Sequence, residues 1–136
     1  MRKSQSGFTL LEIMLVVTII SLLLGAAIYK MAPSVDVAKT TRVAADIQSL
    51  RTALLSYSGM NGFYPTTEQG LQALVARPSG EPAPERWVHF MDSVPKDPWG
   101  LPYIYRCPGQ KNPTGYDLFS AGPDRKPDTP DDDWGT

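Results

Sequence analysis

The sequence predicts an α+β chain, with a helical first half and a turn-rich second half that carries one short hairpin. Three observations lead there. Residues 8–29 are almost wholly apolar. Val43, Ile47, Leu50, Leu54 and Tyr57 follow at spacings of 4, 3, 4 and 3, the signature of one helical stripe. Twelve of the 13 prolines fall from Pro65 onward, where two short β-branched and aromatic runs are bounded by turn residues.

Residues 1–7, MRKSQSG, are a polar leader carrying Arg2 and Lys3. The apolar segment that follows, taken as residues 8–33, is long enough to cross a bilayer, because about 20 helical residues span roughly 30 Å. The positive leader favours the cytoplasm, which sends everything after Lys30 outward. A removed secretory signal fits less well, since the apolar run is long and no small-x-small cleavage site follows it. Glu12 lies inside this run. A carboxylate costs several kcal/mol or close to it in hydrocarbon and usually has a function there.

Pro33 is expected to break or kink the helix, because it removes a backbone donor and clashes with the preceding turn. Residues 34–136 then form one small domain. Its helix resumes with the apolar stripe, and Asp36, Lys39, Arg42, Asp46 and Arg51 read as a solvated face around it. Gly59 to Gly62 ends the helix. Thr66 or Thr67 can cap a further short helix whose apolar face is Leu71, Leu74 and Val75, although Gly70 weakens it. Residues 77–102 read as loop, with Asp97, Pro98, Trp99 and Gly100 as a turn with an aromatic anchor. Tyr103–Arg106 and Tyr116–Phe119 read as two strands joined by residues 107–115.

Several function classes are excluded. A net charge of −1 and the lack of any long basic run give no attraction to nucleic acid. The single Cys107 forbids an intramolecular disulfide, and the single His89 forbids any two-histidine site. No nucleophile elbow, phosphate-binding glycine loop or HExxH motif is present, so the chain is not read as an enzyme. His89 reads as a surface or packing residue and Cys107 as a small, partly buried one. The end of the chain, SAGPDRKPDTPDDD, admits two readings. One is a disordered acidic tail. The other is a calcium loop, since calcium takes 6 to 8 oxygens from carboxylates and carbonyls, three prolines restrict the segment, and Trp134 can anchor its end. An EF-hand is excluded, because its glycine and final glutamate are missing.

GFTLLEIMLVV (residues 7–17) resembles the signal of type IV pilins and their relatives. YPTTEQGLQALV, RPSGEPAPERW, DPWGLPYIY and YDLFSAGPD resemble, in order, segments of the major pseudopilins of type II secretion systems, so the similarity runs over nearly the whole chain. The resemblance implies a pilin-like fold, one long N-terminal helix on a small antiparallel sheet. It implies cleavage between Gly7 and Phe8 by a prepilin peptidase that also methylates the new terminus. It implies a single-pass subunit of the bacterial inner membrane, its C-terminal domain periplasmic, that assembles into a homopolymeric pseudopilus with minor pseudopilins and inner-membrane secretion machinery. Glu12 would then pair with the freed amine of Phe8, on a neighbour or on its own chain. The family's calcium pattern falls on Ser120, Gly122, Asp124 and Asp131. It implies the side chains of Asp124, Asp131 and Asp132 as ligands, with backbone oxygens near Ala121, Lys126 and Thr129. The family loop is usually glycine-rich after its first Asp, where this chain has Arg125 and Lys126. A type IV pilus subunit is one alternative, against which the lone cysteine argues. A monomeric, membrane-anchored, calcium-dependent binding module is another.

Overall fold

The computed structural model describes residues 7–136, so the first six residues of the expected leader lie outside it. Its elements are a long helix α1 (Leu10–Asn61), a 3-10 turn (Leu71–Leu74) and two strands, β1 (Ile104–Arg106) and β2 (Asp117–Phe119). The chain divides into two units, Met1–Val37 and Ala38–Thr136.

Within the first unit, α1 begins behind Thr9. The Thr9 hydroxyl and carbonyl both accept the Glu12 backbone N–H, and the same carbonyl accepts that of Ile13. This is an N-cap, and Thr9-x-x-Glu12 has the spacing of a capping box. The residues that follow are apolar on every side and exposed: Leu11 at 79%, Leu22 at 74% and Ile28 at 71%. An 18-residue window of α1 has a mean hydropathy of 2.5 and none of it is buried. The backbone is helical through Pro33, so the break expected there is not found. A proline removes only one backbone bond, and neighbouring turns can hold the helix across it.

In the second unit the same helix has an inside and an outside. Val43, Ile47, Leu50, Leu54 and Tyr57 are all fully buried, as their spacing predicted. Burying each of the four aliphatic side chains contributes about 1.5–3 kcal/mol. They pack with Leu71, Ala73 and Leu74 of the 3-10 turn, with Tyr105 and Leu118 of the sheet, and with Tyr103 just before β1. Gly62, at φ 80°, ends α1 and donates its N–H to the Ser58 carbonyl. The short helix expected near Thr66 is instead two tight pieces. The Thr66 hydroxyl accepts from the Gln69 N–H while the Gln69 side chain accepts from the Thr66 N–H. Gly70 at φ 59° then stops that turn, and the 3-10 turn starts behind it.

β1 and β2 pair antiparallel, with Ile104 opposite Phe119 and Arg106 opposite Asp117. The strands fall within the predicted segments, one residue shorter at each start. Two tyrosine hydroxyls tie the sheet down: Tyr105 donates to the Pro65 carbonyl at 2.7 Å and Tyr103 to Asp46 at 2.8 Å. Burial and the nearby carboxylate push the Tyr103 phenol well above its ordinary range.

Candidate functional site

Two regions bring the predicted residues together. At the N-terminus, Gly7 and Phe8 precede the helix in non-helical backbone, and Phe8 is 80% exposed. Glu12 stands in the first turn, where a negative charge meets the partial positive charge of the helix end. Among the described residues its carboxylate makes no ion pair. Sequence reasoning missed Thr9 as the cap, although the Thr-x-x-Glu spacing signals it.

The second region is the acidic loop between β2 and Trp134. Its root is closed by a backbone bridge: Ser120 and Asp133 exchange two hydrogen bonds of 2.9 Å. Trp134 then stacks on Phe119 with centroids 4.4 Å apart, the anchoring expected of it. Gly122 sits at φ 69° so close to Asp131 that a Cβ there would lie 2.1 Å from the Asp131 carbonyl oxygen. Only glycine fits that approach. The predicted ligands Ala121, Asp124, Lys126, Thr129, Asp131 and Asp132 therefore all lie in one loop whose two limbs are pressed together near its root.

The loop is also held by short-range bonds and by one grip from the sheet. Asp124 accepts the Lys126 N–H at 2.9 Å, and the Thr129 hydroxyl donates to the Lys126 carbonyl. The Asp128 N–H reaches Asp132 Oδ2 at 2.9 Å. Arg106 of β1 grips the Asp128 carboxylate with both terminal nitrogens, at 2.8 and 2.9 Å. That bond to Arg106 holds the Asp128 carboxyl below the usual range. Arg125 and Asp128 both sit at positive φ, 61° and 66°. Asp adopts this conformation more readily than Arg, and Arg125 occupies the stretch where a glycine-rich loop would be relaxed. The Arg125 guanidinium donates to the Trp99 carbonyl.

Does the loop suit calcium? Among the described residues, no three acidic, His or Cys groups converge as an all-side-chain metal cluster. Calcium does not require one, since carbonyls complete its shell. Asp132 Oδ1 and Asp133 Oδ2 are buried oxygens without a hydrogen-bond partner. A buried carboxylate oxygen left unpaired is costly, and a hard cation satisfies it. Of these two, Asp132 is one of the predicted ligands and Asp133 is its neighbour, so the donor chemistry of this part of the loop is of the kind calcium takes.

Two carboxylates that sequence reasoning did not single out as sites organise this unit. Asp117, 2% exposed, accepts the backbone N–H groups of Gln110, Lys111 and Asn112 at 2.7–3.1 Å. Burial pushes its carboxyl up, but those three bonds and the Arg106 charge outweigh burial and hold it below its ordinary value. Asp97, also 2% exposed, accepts the Trp99 and Leu101 N–H groups on one oxygen and the Ser120 hydroxyl on the other. An Asp heading the turn Asp-Pro-Trp-Gly was the available signal. His89 is exposed beside Asp92, and Cys107 is partly buried, as expected.

Residues 30–135 match the family model described as type II secretion system (T2SS), protein G. The chain belongs to the type II secretion system protein G family. Residues 2–28 match the prokaryotic N-terminal methylation motif. The type II secretion system core protein G of Pseudomonas aeruginosa is 43% identical over 134 residues, 97% of this chain and 93% of that protein. That of Vibrio cholerae is 42% identical over 125 residues, 91% of this chain and 84% of that protein. A crystal structure of the major pseudopilin from the type 2 secretion system of enterohaemorrhagic Escherichia coli aligns with a TM-score of 0.67 at 39% identity. It covers 75% of this chain and 90% of that one. This member of the protein G family is thus a pseudopilin with the pilin-like fold, a structural subunit and not an enzyme. Its apolar helix is consistent with anchoring in the inner membrane.

Proposed function

We propose that the chain is held in the inner membrane by the first part of α1, cut between Gly7 and Phe8, and polymerised through that helix into a periplasmic pseudopilus that drives type II secretion. The observation that carries this reading is the apolar coat of the first unit. Its side chains from Phe8 to Tyr29 have no core of their own to enter. Such a surface must be covered by lipid or by like helices. The acid within it supports the same reading. Cleavage would leave a positive amine on Phe8, and a helix N-terminus adds partial positive charge. Once Phe8 is drawn into the helix, the amine and Glu12 would be spaced by about one turn, roughly 6 Å along the axis. A neighbour displaced along the axis by that amount brings its Glu12 to this amine. Inside hydrocarbon that pairing is strong, because each charge lacks water.

Glu12→Ala should leave insertion and cleavage intact and reduce filament yield to background, scored by electron microscopy of cells expressing the secretion machinery. Normal filaments from that variant would refute the assembly role.

The second part of the proposal is that calcium closes the acidic loop. When bound it would draw on the Asp124, Asp131 and Asp132 carboxylates and on backbone oxygens of Ala121, Lys126 and Thr129. Removing it with a chelator should lower the stability of the full chain in detergent by about 2.7 kcal/mol where the ion had been at 100 times its Kd. Asp124→Ala should abolish that difference. A melting midpoint indifferent to chelator would remove calcium from the account.

A further inference from the structure

The implied ligands come from two limbs of one loop, and the structure shows what brings the limbs to each other. Ser120 is the hub. It is fully buried, its backbone is bonded twice to Asp133, and its hydroxyl accepts the Gly122 N–H at 3.1 Å. Gly122 in turn meets the Asp131 backbone. One side chain from outside the loop sets the hydroxyl. The Ser120 hydroxyl donates to Asp97 Oδ2 at 2.6 Å, a short, charge-assisted bond. With its proton committed to Asp97, the Ser120 oxygen can only accept, which turns a lone pair toward Gly122.

Asp97 is itself fixed. Its other oxygen accepts the N–H groups of Trp99 and Leu101, at 3.1 and 2.7 Å. Its backbone N–H donates to the Leu101 carbonyl at 2.8 Å and its carbonyl accepts from Gly100. The carboxylate is buried without an ion-pair partner among the described residues. A buried charge of this kind is retained at a cost, offset only because its bonds are complete.

We propose that Asp97 is a positioning residue for calcium: through Ser120 it holds the two limbs of the acidic loop at ion-binding spacing before any ion arrives. The proposal rests on the calcium reading above. Residues behind a metal's ligands set ligand orientation, and losing one typically weakens binding by about 10- to 100-fold. Asp97 touches no predicted ligand directly. It acts through Ser120, whose hydroxyl holds Gly122 close beside Asp131 and whose backbone is bonded to Asp133 on the other limb.

The test is a calorimetric titration of calcium chloride into the full-length chain in detergent. The variants are Asp97→Asn, Ser120→Ala and the double variant, with Leu54→Ala as a control whose core is damaged far from the loop. Asp97→Asn keeps the shape and removes the charge. Asp97→Asn and Ser120→Ala should each weaken calcium binding about 10- to 100-fold at unchanged stoichiometry. The double variant should be no weaker than the weaker single one, because both break the same chain of bonds. Leu54→Ala should lower the melting midpoint and leave the affinity alone, which separates positioning from general loosening. Wild-type affinity in folded Asp97→Asn overturns the proposal and leaves the calcium reading standing. If Asp97→Asn does not fold by circular dichroism, Ser120→Ala decides, and wild-type affinity there overturns it equally. A wild-type chain that binds no calcium removes both.

Discussion

Leu22 and Leu54 lie on the same helix and have opposite surroundings. Leu22 is 74% exposed and Leu54 is fully buried. The difference is in the pattern around them. From Leu10 to Tyr29 the helix is apolar on nearly every side and exposed, so it has no internal face to hide. From Val43 the apolar residues keep to one stripe, and the helix is completed by the chain's own 3-10 turn and strands. One element thus carries two kinds of incompleteness, one resolved by folding and one by surroundings.

That contrast can be broken by matched substitutions in the full chain in detergent. Leu54→Ala should cost the most, about 2–5 kcal/mol of unfolding free energy in a denaturant titration, from lost burial and the cavity left behind. A loss below about 1 kcal/mol would mean that the stripe is not the core. Asp117→Asn should come next, at about 2 kcal/mol, since one amide oxygen cannot accept all three N–H groups of the 110–112 turn. Its signature is pH. The folded Asp117 carboxyl lies below its unfolded value, so its stabilisation is complete above the ordinary carboxylate range and is lost as pH falls through the depressed value. The wild-type melting midpoint should therefore fall below about pH 4, and that fall should be shallower in Asp117→Asn. Equal slopes would remove Asp117 from the acid response. Leu22→Ala should do least, changing unfolding of the second unit by under about 0.5 kcal/mol. A larger change would mean that the two stretches of α1 are not energetically separate.

Much of this was legible beforehand, for reasons specific to each element. The stripe from Val43 to Tyr57 was readable because burial on a helix leaves a 3.6-residue period. The strands were readable because aromatic and β-branched runs were bracketed by Pro and Gly. The roles of Asp97 and Asp117 in holding distant segments were not. Each holds backbone N–H groups, which every residue but proline supplies, so their partners leave no mark in the side-chain pattern. The closure of the acidic loop was legible only in part. Trp134 was expected as an anchor, but the Ser120–Asp133 bridge and the Arg106 grip on Asp128 are long-range pairings with no local motif. Pro33 shows the reverse case, a strong local signal overruled by the helix on either side of it.

No buried core residue precedes Val43 among the described residues. The domain's interior is therefore indifferent to whatever solvates the first part of the helix. On the proposed function, a subunit passing from lipid into a polymer would exchange one coat for another without repacking this core. A pool of finished subunits could then wait in the bilayer, with growth limited by delivery and docking and not by a folding step.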